Sequence, residues 1–183
     1  MESTVDEIAS EAELSKGTIY LYFSSKEEIY LSILEEYLTS MAETFRKAID
    51  LALSGADNLR RVGTAYFRFC KKNPNFFQLH RLCSLNDIQE KVSTDGIEQR
   101  GRECLRLTAE VIQKGVEEGI FSPSIDTWKA VAICWASLDG LVSLFEMHLR
   151  KASLFQIQVK ELVEMNIDLL IRGLKGPPEG KNQ

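Results

Sequence analysis

Histidine is almost missing from this 183-residue sequence: only His80 and His148 occur. Neither stands at a recognisable spacing from serine, aspartate or cysteine, so no nucleophilic triad and no metal-ligand set can be assembled, and no glycine-rich phosphate loop is present. An enzyme, a metal and a cofactor are therefore not expected. The four cysteines, Cys70, Cys83, Cys104 and Cys134, are far apart and make no C-x-x-C pair, which leaves buried thiols as the expectation. With four prolines and no sustained two-residue alternation, the chain lacks the signature of strands. Apolar runs such as Ala130 to Trp135 fall far short of the roughly 20 residues of a membrane span, and no cationic leader opens the chain. No membrane partner and a cytoplasmic location are expected. Positive charge is also in deficit, the formal net charge being -5, so any hold on nucleic acid must come from a local surface.

What the sequence does have is helical periodicity, and an all-α fold is expected. Thr4 and Glu7 form a capping-box pair, and Val5, Ile8, Ala9 and Ala12 follow on one stripe, which predicts a short helix from about Val5 to Ala12. Ser15 caps a second through about Phe23. Ser25 with Glu28 opens a long one that is expected to reach Leu53, stopped by Ser54 and Gly55. Further helices are expected over about Asn58 to Lys72, Asn75 to Ser84, Thr94 to Gly119, Ile125 to Arg150 and Leu154 to Leu174. The tail from Gly176 to Gln183 reads as disordered.

Two short helices joined by a tight turn have the proportions of a helix-turn-helix, whose second helix enters the major groove. Composition supports this: Leu14 to Lys26 (LSKGTIYLYFSSK) holds no acidic residue, although carboxylates crowd both sides of it. Its lysine, serine, threonine and tyrosine side chains can bond phosphate oxygens or base edges.

The 27-residue stretch TVDEIASEAELSKGTIYLYFSSKEEIY, Thr4 to Tyr30, resembles the recognition segment of the TetR family of transcription regulators. That pattern is a threonine-capped helix with Ile-Ala, a turn, Ser-Lys-Gly-Thr-hydrophobic-Tyr-x-Tyr-Phe, and Ser-Lys-Glu opening the next helix. The resemblance implies that Lys16, Gly17, Thr18 and Tyr20, behind the Ser15 cap, face bases or nearby phosphates of double-stranded operator DNA. Tyr22, Lys26 and Thr4 would hold the phosphate backbone. A packing role as half-buried helix tyrosines is the alternative for Tyr20 and Tyr22. Two departures stand out. Glu13 occupies the turn position where the family places glycine, so a positive φ is expected at a non-glycine residue. The family's further helix ahead of the threonine has no room between Met1 and Thr4, so the domain reads as partial, with Val5, Ile8, Ala12 and Phe23 under-protected.

In the remainder, Trp128, Val131, Trp135, Leu138, Val142, Phe145 and Leu149 follow a 3,4 spacing, and the small residues Ala132, Ala136 and Gly140 form a second stripe. The final helix is apolar on two sides and needs a partner on each. The resemblance implies a homodimer through a four-helix bundle, with an interface expected at Ala132, Ala136, Leu138, Gly140, Leu141, Phe145, Val163, Ile167 and Leu170; both faces simply being core is the alternative. Asn166 reads as a register-setting polar contact. The family's sensing pocket would lie between the lower half of the third helix and those that follow. Tyr66, Phe67, Phe69, Phe77, Trp128 and Trp135 are expected to line it, with His80 orienting a small hydrophobic or aromatic effector.

The expected organisation is thus a partial helix-turn-helix domain over 1–45, a helical ligand-binding and dimerisation domain over 46–175, and a tail over 176–183. The expected function is a ligand-responsive transcriptional regulator, a repressor released from its operator by the effector. The alternative is a helical hydrophobic-ligand-binding protein, or a family member defective in DNA binding.

Overall fold

The computed structural model describes residues 4–83, 93–144 and 158–176, and within them the chain is all-helical. Eight helices are described: α1 (Val5–Glu11), α2 (Lys16–Tyr22), α3 (Lys26–Ala48), α4 (Gly55–Lys72), α5 (Phe76–Cys83), α6 (Asp95–Glu117), α7 (Thr127–Leu144) and α8 (Val159–Leu174).

The first three begin at hydroxyl caps. Thr4 and Glu7 close a reciprocal capping box; the Ser15 Oγ accepts from the Thr18 amide at 3.0 Å and the Ser25 Oγ from the Glu28 amide at 3.1 Å. Glu13, in the turn between α1 and α2, has φ 56°, as its glycine-like position predicts.

The joint between α3 and α4 departs from expectation. α3 stops at Ala48 and not near Leu53, and Ser54 with Gly55 starts a helix where a stop was expected. The cause is Asn58, only 1% exposed. Its Oδ1 accepts from the Asp50 amide at 2.8 Å, while its Nδ2 donates to the carbonyls of Asp50 at 2.8 Å and Leu53 at 3.2 Å. These bonds stand in for helical ones at Asp50 and Leu53, and they leave no polar atom of the buried amide unpaired. Gly55 is required for a second reason. A Cβ there would fall 2.7 Å from the Val111 carbonyl oxygen and onto the backbone of Gly115, so α4 and α6 cross in direct backbone contact.

α6 is the central strut, packing on α3, α4 and α7, while α8 lies against α4 and α7. Phe45, Met41, Ile112, Val131 and Val163 are among the residues sealed in the resulting core. α6 ends at Gly119, φ 69°, with the amides of Ile120 and Phe121 both donating to the Gly115 carbonyl at 2.9 Å. Cys70, Cys104 and Cys134 are buried thiols outside any disulfide, and burial pushes the Cys104 thiol up to about 12 and Cys134 up to about 11. Neither forms a thiolate at neutral pH. No described helix is long and apolar enough to cross a membrane. Leu149 and the 177–183 part of the tail lie outside the described residues.

Candidate DNA-binding and effector sites

α1 and α2 meet around a small separate cluster, in which Ala9, Ile19 and Ile29 are buried and Val5, Ile8 and Phe23 are partly covered. Ala12, expected on the same stripe, is exposed. Because Ile19 points inward, residues two places before and after it point roughly the opposite way at 3.6 residues per turn. Those residues are Gly17 and Leu21. Leu21 is 81% exposed, the most exposed large apolar side chain on α2, and the sequence reading passed over it. The signal was available: the buried phase of α2 is set by Ile19, and Leu21 sits across from it. Tyr20 is about half exposed, at 49%, and Tyr22 more so, at 76%.

The polar residues of this face are held by local bonds. Ser15 and Thr18 share a hydroxyl contact of 2.7 Å, and the Lys16 Nζ donates to the Asp6 carboxylate on α1 at 2.8 Å, an exposed pair that holds the ammonium above its usual pKa. Lys26, at the start of α3, lies 5.8 Å from the centre of the Tyr30 ring. Thr4 closes the capping box, its Oγ1 accepting from the Glu7 amide at 3.2 Å. Around Leu14 to Lys26 the charge is unfavourable: positions 1 to 40 carry nine acidic and two basic residues.

A cavity of about 30 Å³, room for a water or two, lies in the body. Phe45 from the lower half of α3, Val62, Gly63 and Tyr66 from α4, and Thr108 from α6 form part of its wall. Cys134, Trp135 and Leu138 of α7 and Ile167 and Leu170 of α8 complete most of the rest. Tyr66 and Trp135 thus come together as expected in sequence, with ring centres 5.1 Å apart. The Tyr66 hydroxyl donates to the Asp139 carboxylate at 2.7 Å, and burial followed by the neighbouring Cys70 and Asp139 pushes its own ionisation far above the ordinary value, so it stays a neutral donor. Asp139 was missed because it is one acidic residue in an apolar helix, and only the α4–α7 crossing brings it to a tyrosine.

The other expected pocket residues go elsewhere. Phe69 joins Tyr37 and Phe76 in a separate edge-to-face cluster, with centres 5.7 to 6.5 Å apart. His80 is exposed and lies against Phe76 with ring centres 5.8 Å apart, so it is not the orienting group of the cavity. Phe67 is half-buried against the core. Phe77 lies on α5, its side chain outside the described ones. Trp128 is 60% exposed in a surface hollow with Arg106, Glu110 and Gln113, in the first turn of α7.

The expected dimer residues divide in the same way. Ala132, Ala136 and Gly140 are exposed on α7, whereas Leu138, Val163 and Ile167 are buried inside the protomer, and Leu141 and Leu170 pack against that core. The sequence reading put the wrong stripe of the last helix outward: Met165 and Leu169, both 61% exposed, face out instead. Phe145 lies outside the described residues. Asn166 makes its polar contact within the protomer, its Nδ2 donating to the Ser137 hydroxyl at 2.6 Å.

Comparison with known proteins gives this arrangement its family. Residues 1–33 match "Bacterial regulatory proteins, tetR family", and residues 59–170 match "Tetracyclin repressor-like, C-terminal domain". The fatty acid metabolism regulator protein of Bacillus subtilis (strain 168) is 23% identical over 177 residues, covering 94% of this chain and 86% of that protein. The HTH-type transcriptional repressor KstR2 of Mycolicibacterium smegmatis is 25% identical over 159 residues, covering 77% of this chain and 73% of the repressor. The crystal structure of the regulator FadR from Bacillus subtilis in complex with stearoyl-CoA superposes with a TM-score of 0.78 at 22% identity, over 93% of this chain and 88% of that one. With both its N-terminal and its C-terminal portions matched, this chain belongs to the TetR family of bacterial transcriptional regulators, and it is not an enzyme.

Proposed function

We propose that this chain acts as a repressor, binding two-fold operator DNA as a homodimer and leaving it when a small hydrophobic molecule occupies the cavity of the body. The observation that carries this reading is the acid-free, exposed surface of α2. Gly17 and Leu21 form its outermost line, Lys16 and Tyr20 flank one side, and Thr18 and Tyr22 the other. Lys16, Thr18, Tyr20 and Leu21 meet base edges, while Thr4, Ser15, Tyr22 and Lys26 meet the backbone. In this division residues 1–45 serve DNA and 46–175 serve effector and dimer.

The outward faces of α7 and α8 support the dimer. Ala132, Ala136 and Gly140 allow close helix approach, and Met165 and Leu169 supply apolar surface. A regulator of fatty acid metabolism among the relatives and stearoyl-CoA in a fold neighbour support an apolar effector. α3 links the two sites: Ile29 sits in the DNA-end cluster and Phe45 in the cavity wall, and its 23 residues span roughly 34 Å. Arg46 pairs with Glu103, and Arg100 reaches Glu35 at 3.9 Å and Glu103 at 3.7 Å, tying α3 to α6. A shift of α6 by the effector therefore moves α3, and a coupling of about 1 to 3 kcal/mol suffices to release DNA.

The test is selection of duplexes from a random pool by the purified chain. The expected product is a two-fold site with half-sites one helical turn apart. Lys16→Ala and Thr18→Ala change the preferred sequence, and Lys26→Ala weakens all duplexes alike with a salt slope smaller by about one phosphate. Asp6→Asn strengthens binding by freeing Lys16. Enrichment of no sequence at all would refute the reading.

A further inference from the structure

The cavity has a definite charge character. Of the described residues that line it none is lysine, arginine or histidine, and the two side-chain hydroxyls among them are already committed. Thr108 Oγ1 donates back to the Cys104 carbonyl at 3.1 Å, and Tyr66 Oη donates to Asp139 Oδ1 at 2.7 Å. The group that accepts the Tyr66 hydroxyl is a carboxylate, whose field repels an anion. A carboxylate or phosphate carried into this space would lose its water without gaining a cation, a cost that its apolar part would have to offset. An uncharged hydroxyl or ester loses far less, and a hydroxyl can donate to the Tyr66 or Asp139 oxygens.

From this we propose that the cavity selects the uncharged part of its effector: it takes neutral apolar molecules, or the neutral tail of a larger one, and excludes free carboxylates through Asp139. The proposal rests on the reading that this cavity is the effector site. As it stands the space holds only a water or two. The ligand must therefore part α4 and α8 at their tight seam, where Gly63 faces Ile167 and even a Cβ would sit 2.9 Å from Ile167 Cδ1.

The protein provides its own reporter, because its two tryptophans have different surroundings. Trp128 is on the surface, and Trp135 touches Tyr66 and Phe45 with ring centres 5.1 and 6.2 Å apart. The Trp128→Phe chain, whose exposed position tolerates the change, leaves Trp135 as sole indole. It is titrated with 1-decanol and with decanoate at pH 8, two chains of equal length that differ in charge. The expected result is a saturable change in Trp135 emission with decanol, and binding of decanoate at least tenfold weaker. Adding Asp139→Asn should raise decanoate affinity and bring the two within about threefold, with thermal unfolding reported alongside to show that the variant is folded. Equal affinities in the Asp139 chain, or a preference untouched by Asp139→Asn, would overturn charge selection while leaving the cavity as the effector site. Silence of Trp135 toward both ligands would overturn the cavity reading and the proposal together.

Discussion

The two ends of α3 are held by different physics. At its start, the DNA-binding end has three buried apolar residues, Ala9, Ile19 and Ile29, and is organised by hydroxyl caps that each span three positions, with the Lys16 to Asp6 pair reaching ten. At its finish, Phe45 sits in a continuous core drawn from α3 to α8, where the decisive contacts join residues far apart: Gly55 to Gly115, Tyr66 to Asp139, Gly63 to Ile167. The difference teaches where each kind of perturbation will act. Loss of a cap or a small-cluster residue loosens the DNA end alone, whereas an added methyl at a helix crossing is felt throughout the body.

The largest effect is expected at that crossing. Gly55→Ala drives a methyl into the backbone of α6 and should cost on the order of 3 kcal/mol of global stability, measured by urea unfolding. A loss under about 1 kcal/mol would show that α4 and α6 separate easily, and the contrast between the two ends would weaken. Next comes Ile19→Ala, which empties the centre of the small cluster at about 2 kcal/mol. Hydrogen exchange should quicken across α1 and α2 and DNA binding should fall, while the body keeps its unfolding midpoint. If the midpoint falls equally, the two regions unfold as one unit.

The smallest effect is one of pH. Hydrogen bonds from Thr4 hold the Glu7 carboxyl below its ordinary pKa of 4.5, and those from Ser24 do the same for Glu28. A depressed carboxyl pKa stabilises the folded form above the unfolded value, and that contribution disappears as pH falls through the folded one. Between pH 7 and pH 3, exchange at the first turns of α1 and α3 should therefore quicken before that of α6. Glu28→Gln should remove most of the pH dependence at α3. Uniform loosening across all helices would instead point to general charge repulsion.

The DNA end was legible because its signals are local. Thr4 with Glu7, Ser15, Ser25 with Glu28, and the glycine-like position of Glu13 were readable in sequence and appear as caps and a positive φ. The three following boundaries were legible only in part: α3 ends early because Asn58 captures the loop behind it, an interaction that no window of periodicity contains. In the pocket, Tyr66 and Trp135 were found by aromatic content. The same reasoning wrongly drew in His80 and Trp128, since an aromatic near a cavity and one on the surface have identical sequence neighbourhoods.

The sequence by itself determined the helices, their caps and the acid-free recognition face, because hydrogen bonds and apolar stripes of period 3.6 are set within a few residues of each other. Only the tertiary structure decided which stripe of an all-round apolar helix faces inward. Val163 and Ile167 went into the core, while Met165 and Leu169 remained outside, because the phase of α8 is fixed by its fit against Gly63 and α7. It alone placed the Asp139 carboxylate on the Tyr66 hydroxyl, since two helices 73 positions apart in the chain meet there through packing that neither helix encodes alone.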